Sequence, residues 1–166
     1  MRTRPTAAVL PMLALTAVLT SCGAAPAVSR LDAYEARAEE LTDALLGELA
    51  GGRAPVLRTV SRASIDDSQW LVPRERQAAH WTTTSTLEFV DVEASAVAGA
   101  LRARLTEERW RVEPTVDQGG VLPSVDTYRR DASEGAGDWI VQVAWNDAHR
   151  LSVIVQSPVT VRGDEG

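Results

Sequence analysis

The chain has no lysine, and all 17 of its basic residues are arginine. Walker A phosphate loops, Schiff-base enzymes, Ser-Lys hydrolases and penicillin-binding-protein motifs all depend on a lysine side chain. The sequence therefore excludes these classes of site from its 166 residues.

Cysteine and histidine are almost as scarce. Cys22 is the single cysteine, and His80 and His149 are the two histidines. Neither histidine belongs to a pair at metal-ligand spacing, no HExxH motif occurs, and Asp66-Asp67 alone is too sparse for a calcium loop. The chain also lacks a GxGxxG or other glycine-rich phosphate loop. We therefore expect neither a metal nor a cofactor.

Negative charge exceeds positive charge, with 23 acidic and 17 basic residues. An acidic surface repels polyanions, which disfavours nucleic acid and anionic lipid headgroups as partners. Loss of Arg2 and Arg4 with a signal peptide would make the remaining chain still more acidic.

The N-terminal residues follow the three-part pattern of a signal peptide. Arg2 and Arg4 precede the apolar run Ala7–Leu19, which is followed by Leu19-Thr20-Ser21-Cys22. The run has about 13 residues against the roughly 20 that span a bilayer, and Pro11 interrupts it. The last four residues resemble the lipobox of bacterial lipoproteins. An ordinary cleaved signal peptide with a coincidental Cys22 is the alternative.

The lipobox resemblance implies cleavage before Cys22 and a thioether-linked diacylglycerol on its sulfur. Two palmitate-length chains contribute on the order of 20 kcal/mol of membrane anchoring, at about 0.8 kcal/mol per methylene. The expected location is the outer face of the cytoplasmic membrane. The absence of lysine and the abundance of Ala, Arg, Asp, Val and Gly suggest a high-GC genome.

The remaining sequence indicates one domain. We expect a signal peptide over residues 1–21, a lipidated tether over 22–29, a single domain over 30–158 and a short charged tail over 159–166. Removal of the signal peptide leaves about 145 residues, enough for one domain with a hydrophobic core. We expect this domain to be a monomer.

Apolar spacing predicts two amphipathic helices. In the first, Ser29 caps the start, Gly51-Gly52 ends the helix, and apolar residues recur at helical intervals from Leu31 to Leu49. Its opposite face is acidic, either for docking or simply for solvation. The second helix spans Glu93–Arg109, with apolar positions Ala94, Val97, Leu101 and Leu105.

Strand patterns lie on both sides of the second helix. Val56–Arg62 can form a strand, although its alternation is loose, and Trp81–Val92 is a predicted strand beyond a long loop, Ala63–His80. After the helix, Trp110–Val116 alternates, and Pro114 indicates an edge strand. The remaining predicted strands are Val125–Arg130, Trp139–Trp145 and Leu151–Val155, with predicted turns at Gly119-Gly120, Gly135–Gly137 and Asn146-Asp147. Pro158 is expected to end the last strand.

These patterns predict an α+β fold, with an antiparallel sheet of four to five strands and both helices packed on one face. The order of elements resembles that of uncharacterised mycobacterial LppA-type lipoproteins. The resemblance rests on Leu101-Arg102-Ala103-Arg104-Leu105 running into Trp110, and on a closing hairpin that ends in Ser157-Pro158. It implies an α+β envelope domain and no particular activity.

Five tryptophans accompany one phenylalanine. Trp139 and Trp145 share a strand face, and Trp110 lies between a helix and a strand, so core packing is expected for these three. Trp70 and Trp81 flank the long loop instead.

The candidate ligand- or partner-binding residues are therefore Trp70, Trp81, Asp66, Asp67 and His80. Aromatic rings beside carboxylates suit sugars, cationic groups or protein partners. The alternative is that a loop tryptophan only pins its loop to the core.

The expected function is that of a membrane-anchored, non-enzymatic domain that binds an envelope protein or a small ligand. The alternative is an envelope hydrolase that uses loop residues 63–81. Ser64, His80 and Asp67 supply triad residue types, but the chain has no GxSxG elbow.

Overall fold

The computed structural model describes residues 28–50, 56–90, 92–115, 124–132, 137–145 and 149–163. These contain helices α1 (Leu31–Ala50) and α2 (Ala94–Glu107). The strands are β1 (Val56–Ile65), β2 (Ala78–Glu88), β3 (Arg111–Val112), β4 (Ser124–Asp131), β5 (Asp138–Trp145), β6 (Arg150–Gln156) and β7 (Thr160–Val161). The predicted turns at Gly119-Gly120 and Asn146-Asp147 lie outside the described residues, as does the predicted helix end at Gly51-Gly52.

The strands form one antiparallel sheet in the order β1-β2-β6-β5-β4-β3, and β7 pairs with the start of β2. The fold is α+β, with seven described strands where the sequence predicted four to five. Strand β7 has two residues, too few for an alternating pattern to be recognised, and β3 covers only Arg111–Val112 of the predicted strand Trp110–Val116. The strand β3 lies at the edge of the sheet, as Pro114 indicated.

Alternation along β5 separates the two faces of the sheet. Trp139, Val141 and Val143 are buried, whereas Ile140 and Gln142 between them are partly exposed. Trp145 is partly buried and also packs against the core, which confirms the shared strand face predicted for Trp139 and Trp145. The buried set continues across the sheet, because Val141 pairs with Val155, and Val143 with Val153. We call this the covered face.

The two helices bury their apolar sides against the covered face. Helix α1 contributes Tyr34, Ala38 and Leu45 to the core, and α2 contributes Leu101 and Leu105. Ser29 Oγ accepts a hydrogen bond from the backbone N–H of Leu31 at 3.3 Å, so it satisfies a donor at the start of α1. No helix in the described part of the chain has the length and apolar character needed to cross a membrane.

The covered face becomes polar toward β1. Hydroxyl groups there pair across the strands, Thr59 with Ser85 and Ser61 with Thr83, each at 2.9 Å. Thr83 and Ser85 are fully buried. Burial of these side chains is tolerated because their hydroxyls are hydrogen-bonded.

The opposite face carries no packed helix among the described elements, and we call it the open face. Its residues on the central strands are partly exposed and mostly polar: Thr82, Thr84, Thr86, Gln142, Ser152 and Gln156, with Ile140 and Ile154 among them. Alternation of side chains places these residues opposite the core.

Candidate functional site

The loop that contains most of the candidate binding residues connects β1 to β2. Its boundaries differ from the predicted Ala63–His80, because Ala63–Ile65 belong to β1 and Ala78–His80 to β2. Residues 66–77 remain, and they include two short 3-10 turns, Asp67–Gln69 and Arg74–Arg76. We call residues 66–77 the β1–β2 loop.

Asp66 fixes the first turn of this loop. Its carboxylate accepts hydrogen bonds from the backbone N–H of Ser68 at 3.0 Å, from the Ser68 hydroxyl and from Gln69 Nε2. These hydrogen bonds favour the ionised carboxylate and lower the pKa of Asp66 below its ordinary value. Asp66 therefore acts as the N-terminal cap of the 3-10 turn Asp67–Gln69.

Gln77 closes the loop from the other side. Its Nε2 donates to the carbonyls of Val72 and Gln69 at 3.1 and 3.4 Å. The Gln69 side-chain oxygen in turn accepts from the backbone N–H of Ala78 at 2.9 Å. Gln69 and Val72, the residues on either side of the Trp70-Leu71 dipeptide, are thus hydrogen-bonded to the chain where β2 begins.

Trp70 and Leu71 are held at the tip of this loop with their side chains in solvent. Each is 77% exposed. Two adjacent large apolar side chains on a hydrogen-bonded turn form an exposed knob. Trp70 was predicted as a candidate binding residue. Leu71 was not predicted, although its position next to Trp70 in the sequence could have indicated it.

Trp81 lies elsewhere, on the covered face. It is partly buried against the core, and its indole Nε1 donates to Ser61 Oγ at 2.7 Å. Its backbone N–H donates to Ser157 Oγ at 2.8 Å. These contacts give Trp81 a packing role that joins β2 to β1 and to the residue that follows β6.

His80 points to the open face, because neighbouring residues of a strand point to opposite sides. It is the register partner of Ser64 on β1. Burial lowers the pKa of His80 below 6.5, so its ring is neutral near pH 7. No hydrogen bond joins the described side chains of Ser64 and His80, and the side chain of Asp67 lies outside the described residues. The structure thus separates three of the candidate residues, with Trp81 on the covered face, His80 on the open face and Trp70 at the tip of the loop.

A shallow cleft of about 310 Å³ runs along β1, lined by Arg62, Ala63, Ser64 and Ile65. Consecutive residues point to opposite faces, so a cleft lined by all four follows the strand's free edge. In the described part of the chain, no His, Cys, Asp or Glu cluster could hold a metal ion.

A second polar cluster is buried between α2 and β4. The carboxylate of Asp126 accepts hydrogen bonds from Thr115 Oγ1 at 2.6 Å and from Tyr128 Oη at 2.9 Å, and Arg102 lies 3.8 Å away. Burial, followed by the hydrogen bond to Asp126, raises the pKa of Tyr128. Asp126 is 1% exposed, so this cluster ties helix to sheet rather than forming an open site. No pattern in the sequence indicated this cluster.

No family model, curated protein or solved structure matches the chain. Function is therefore inferred from the chain's own residues and their arrangement.

Proposed function

We propose that the protein is a lipoprotein of the outer face of the cytoplasmic membrane, anchored by diacylglycerol on Cys22. Its domain is a non-enzymatic binding domain for an envelope protein or a small ligand. The observation that carries this proposal is the pattern in residues 2–22, where two arginines precede an apolar run that ends in Leu19-Thr20-Ser21-Cys22. The single cysteine of the chain stands at the one position where a lipobox requires it.

The start of the domain supports an anchor at Cys22. Helix α1 begins at Leu31, and Ser29 and Arg30 already make hydrogen bonds to the folded domain. A tether from Cys22 to Val28 spans at most about 20 Å when fully extended. The anchor would therefore hold the domain directly above the bilayer.

The β1–β2 loop supports a binding role. The knob formed by Trp70 and Leu71 is apolar, exposed and fixed at its base by the hydrogen bonds of Gln77. A contact surface on an ordered turn loses little conformational entropy when it binds. Tryptophan is also among the residues that contribute most to binding energy in protein interfaces.

The anchor is tested by replacing Cys22 in cells. We expect Cys22→Ala to leave the membrane fraction, because the thioether to lipid cannot form. Ser21→Ala is the matched control, since it keeps a small residue before the cysteine and should remain anchored. Mass spectrometry of the purified protein should give an N-terminus at Cys22 with the added mass of the lipid. A membrane-bound Cys22→Ala protein, or an unmodified Cys22, would contradict the proposal.

A further inference from the structure

Four exposed apolar side chains belong to segments that meet at one end of the domain. The described residues include seven exposed large apolar side chains, and four of them are Val28, Trp70, Leu71 and Val159. Val28 is 81% exposed and Val159 is 59% exposed. These four residues come from three separate segments of the chain.

The chain's entry into the domain and its last strand meet at this end. The backbone N–H of Arg30 donates to Thr160 Oγ1 at 3.3 Å. Ser29 lies against Gly163, so closely that a Cβ atom on that glycine would lie 2.5 Å from the Ser29 Cβ. Val28 and Val159 are the immediate neighbours of these contacting segments.

The β1–β2 loop joins the same end through backbone hydrogen bonds. Gly163 donates to the carbonyl of Glu75 at 3.1 Å, and Arg162 donates to that of Gln77 at 2.8 Å. Gln77 is the residue that fixes the Trp70-Leu71 turn. We call residues 28–30, 66–77 and 159–163 together the tether end.

We propose that the tether end contacts the lipid bilayer, with Trp70 and Leu71 inserted at the membrane interface. This inference rests on the proposed anchor at Cys22, because the anchor determines which end of the domain faces the membrane. It narrows the role of the β1–β2 loop from binding in general to binding of lipid.

The length of the tether favours lipid over a protein partner. Val28 lies just before helix α1, and the chain from Cys22 to Val28 reaches at most about 20 Å. The tether end is thus the part of the domain nearest to the bilayer. Tryptophan concentrates at membrane–water interfaces, where its ring meets the acyl chains and its N–H remains hydrated. A leucine beside it adds apolar area.

Charge at the tether end is mixed. Described residues there and in the first turn of α1 include Arg30, Arg74, Arg76 and Arg162 together with Asp32, Asp66 and Glu75. Attraction to anionic headgroups cannot dominate such a surface on a chain of net charge −6. The apolar knob must therefore supply the contact, and insertion should not depend on anionic lipid. A weak contact is sufficient, because the anchor keeps its effective concentration high.

The single cysteine allows a direct test on vesicles. The mature chain, residues 22–166, is coupled through the Cys22 thiol to a maleimide phospholipid in phosphatidylcholine vesicles that contain brominated acyl chains. Bromine quenches tryptophan fluorescence only at short range. We expect quenching in the native chain and a reduction by about half or more in Trp70→Phe, which removes the interfacial fluorophore. The matched control Trp81→Phe should leave the lipid-dependent quenching unchanged, because Trp81 is packed against the sheet. Addition of phosphatidylglycerol should change little.

Equal quenching in the native chain and Trp70→Phe, or none in either, would overturn the membrane contact. A photocrosslinker at position 71 that captures an envelope protein in cells, with no quenching on vesicles, would assign the knob to a protein partner instead. Chemical coupling supplies the anchor in this experiment, so failure of lipidation in cells is a separate result that concerns only the proposed function.

Discussion

The two faces of the sheet are built from the same strands but have different compositions. On β5, the covered face has Trp139, Val141 and Val143, and the open face has Ile140 and Gln142. The helices exclude water from the covered face, so each apolar side chain there contributes the free energy of its full burial to the stability of the fold. Side chains on the open face are partly exposed and contribute less. The difference shows that the helices, rather than strand propensity, determine where the stability of this domain lies.

The largest expected effect is on the covered face, at Trp139. Its ring packs edge-on against Tyr34 of α1, with the centroids 5.6 Å apart. Truncation removes this contact and leaves a cavity, so Trp139→Ala should cost about 3–5 kcal/mol in the free energy of unfolding, measured in urea.

Ile140→Ala is the matched control, one residue away on the open face. It should cost about 1 kcal/mol, because a partly exposed side chain loses less burial. Equal losses in the two variants would show that the open face is covered as well.

The next largest effect is expected in the buried polar cluster around Asp126, on the covered face. Asp126→Ala should cost about 2–4 kcal/mol, because Tyr128 and Thr115 lose a charged acceptor and the Tyr128 hydroxyl stays buried. Chemical unfolding checks this value.

The double variant Asp126→Ala with Tyr128→Phe should be less destabilised than the sum of its single variants, because no buried hydroxyl is then left unpaired. Simple additivity would show that the two side chains act independently.

The smallest effect concerns His80 on the open face. Burial lowers its pKa in the folded protein below 6.5, so the unfolded chain binds the proton more tightly. The contribution of His80 to stability is therefore complete above pH 6.5 and is lost as pH falls toward the lowered pKa. Between pH 7.5 and 5.5, the melting temperature of native protein should fall slightly more than that of His80→Gln. Indistinguishable slopes would mean that His80 is hydrated.

Sequence pattern predicted the sheet best where one face is uniformly apolar. Strict alternation in Trp139–Trp145 predicted β5 and its covered side, which the structure confirms. In β2, threonine and serine occupy both faces, so hydropathy does not alternate. The prediction started that strand at Trp81 and ran it to Val92, whereas the strand is Ala78–Glu88. Thr83 and Ser85 can be buried on the covered face because their hydroxyls pair with hydroxyls of β1. This pairing cannot be predicted from the sequence of β2 alone.

The candidate site was predictable only in part, for a geometric reason. The sequence pattern predicted His80 at the end of a loop and Trp81 at the start of a strand. In the structure both belong to β2, where neighbouring residues point to opposite faces, so the two side chains are separated by the sheet. The role of Asp66 as a cap depends on Ser68 and Gln69 lying in a 3-10 turn, which composition does not specify. The meeting of residues 28–30 with the β1–β2 loop depends on residues 159–163, which include β7, a strand too short to predict.

The position of β6 has a consequence for the order in which the protein folds. Strand β6 lies in the middle of the sheet, between β2 and β5, although it is among the last segments of the chain. The β1–β2 hairpin therefore has no inner neighbour until Arg150–Gln156 is available, and contacts so distant in sequence form slowly. A chain threaded across a membrane from its N-terminus would remain unfolded until nearly all of it had emerged. For the export and lipidation proposed above, that delay would keep the chain extended during translocation and would allow lipid to be attached at Cys22 before the domain folds.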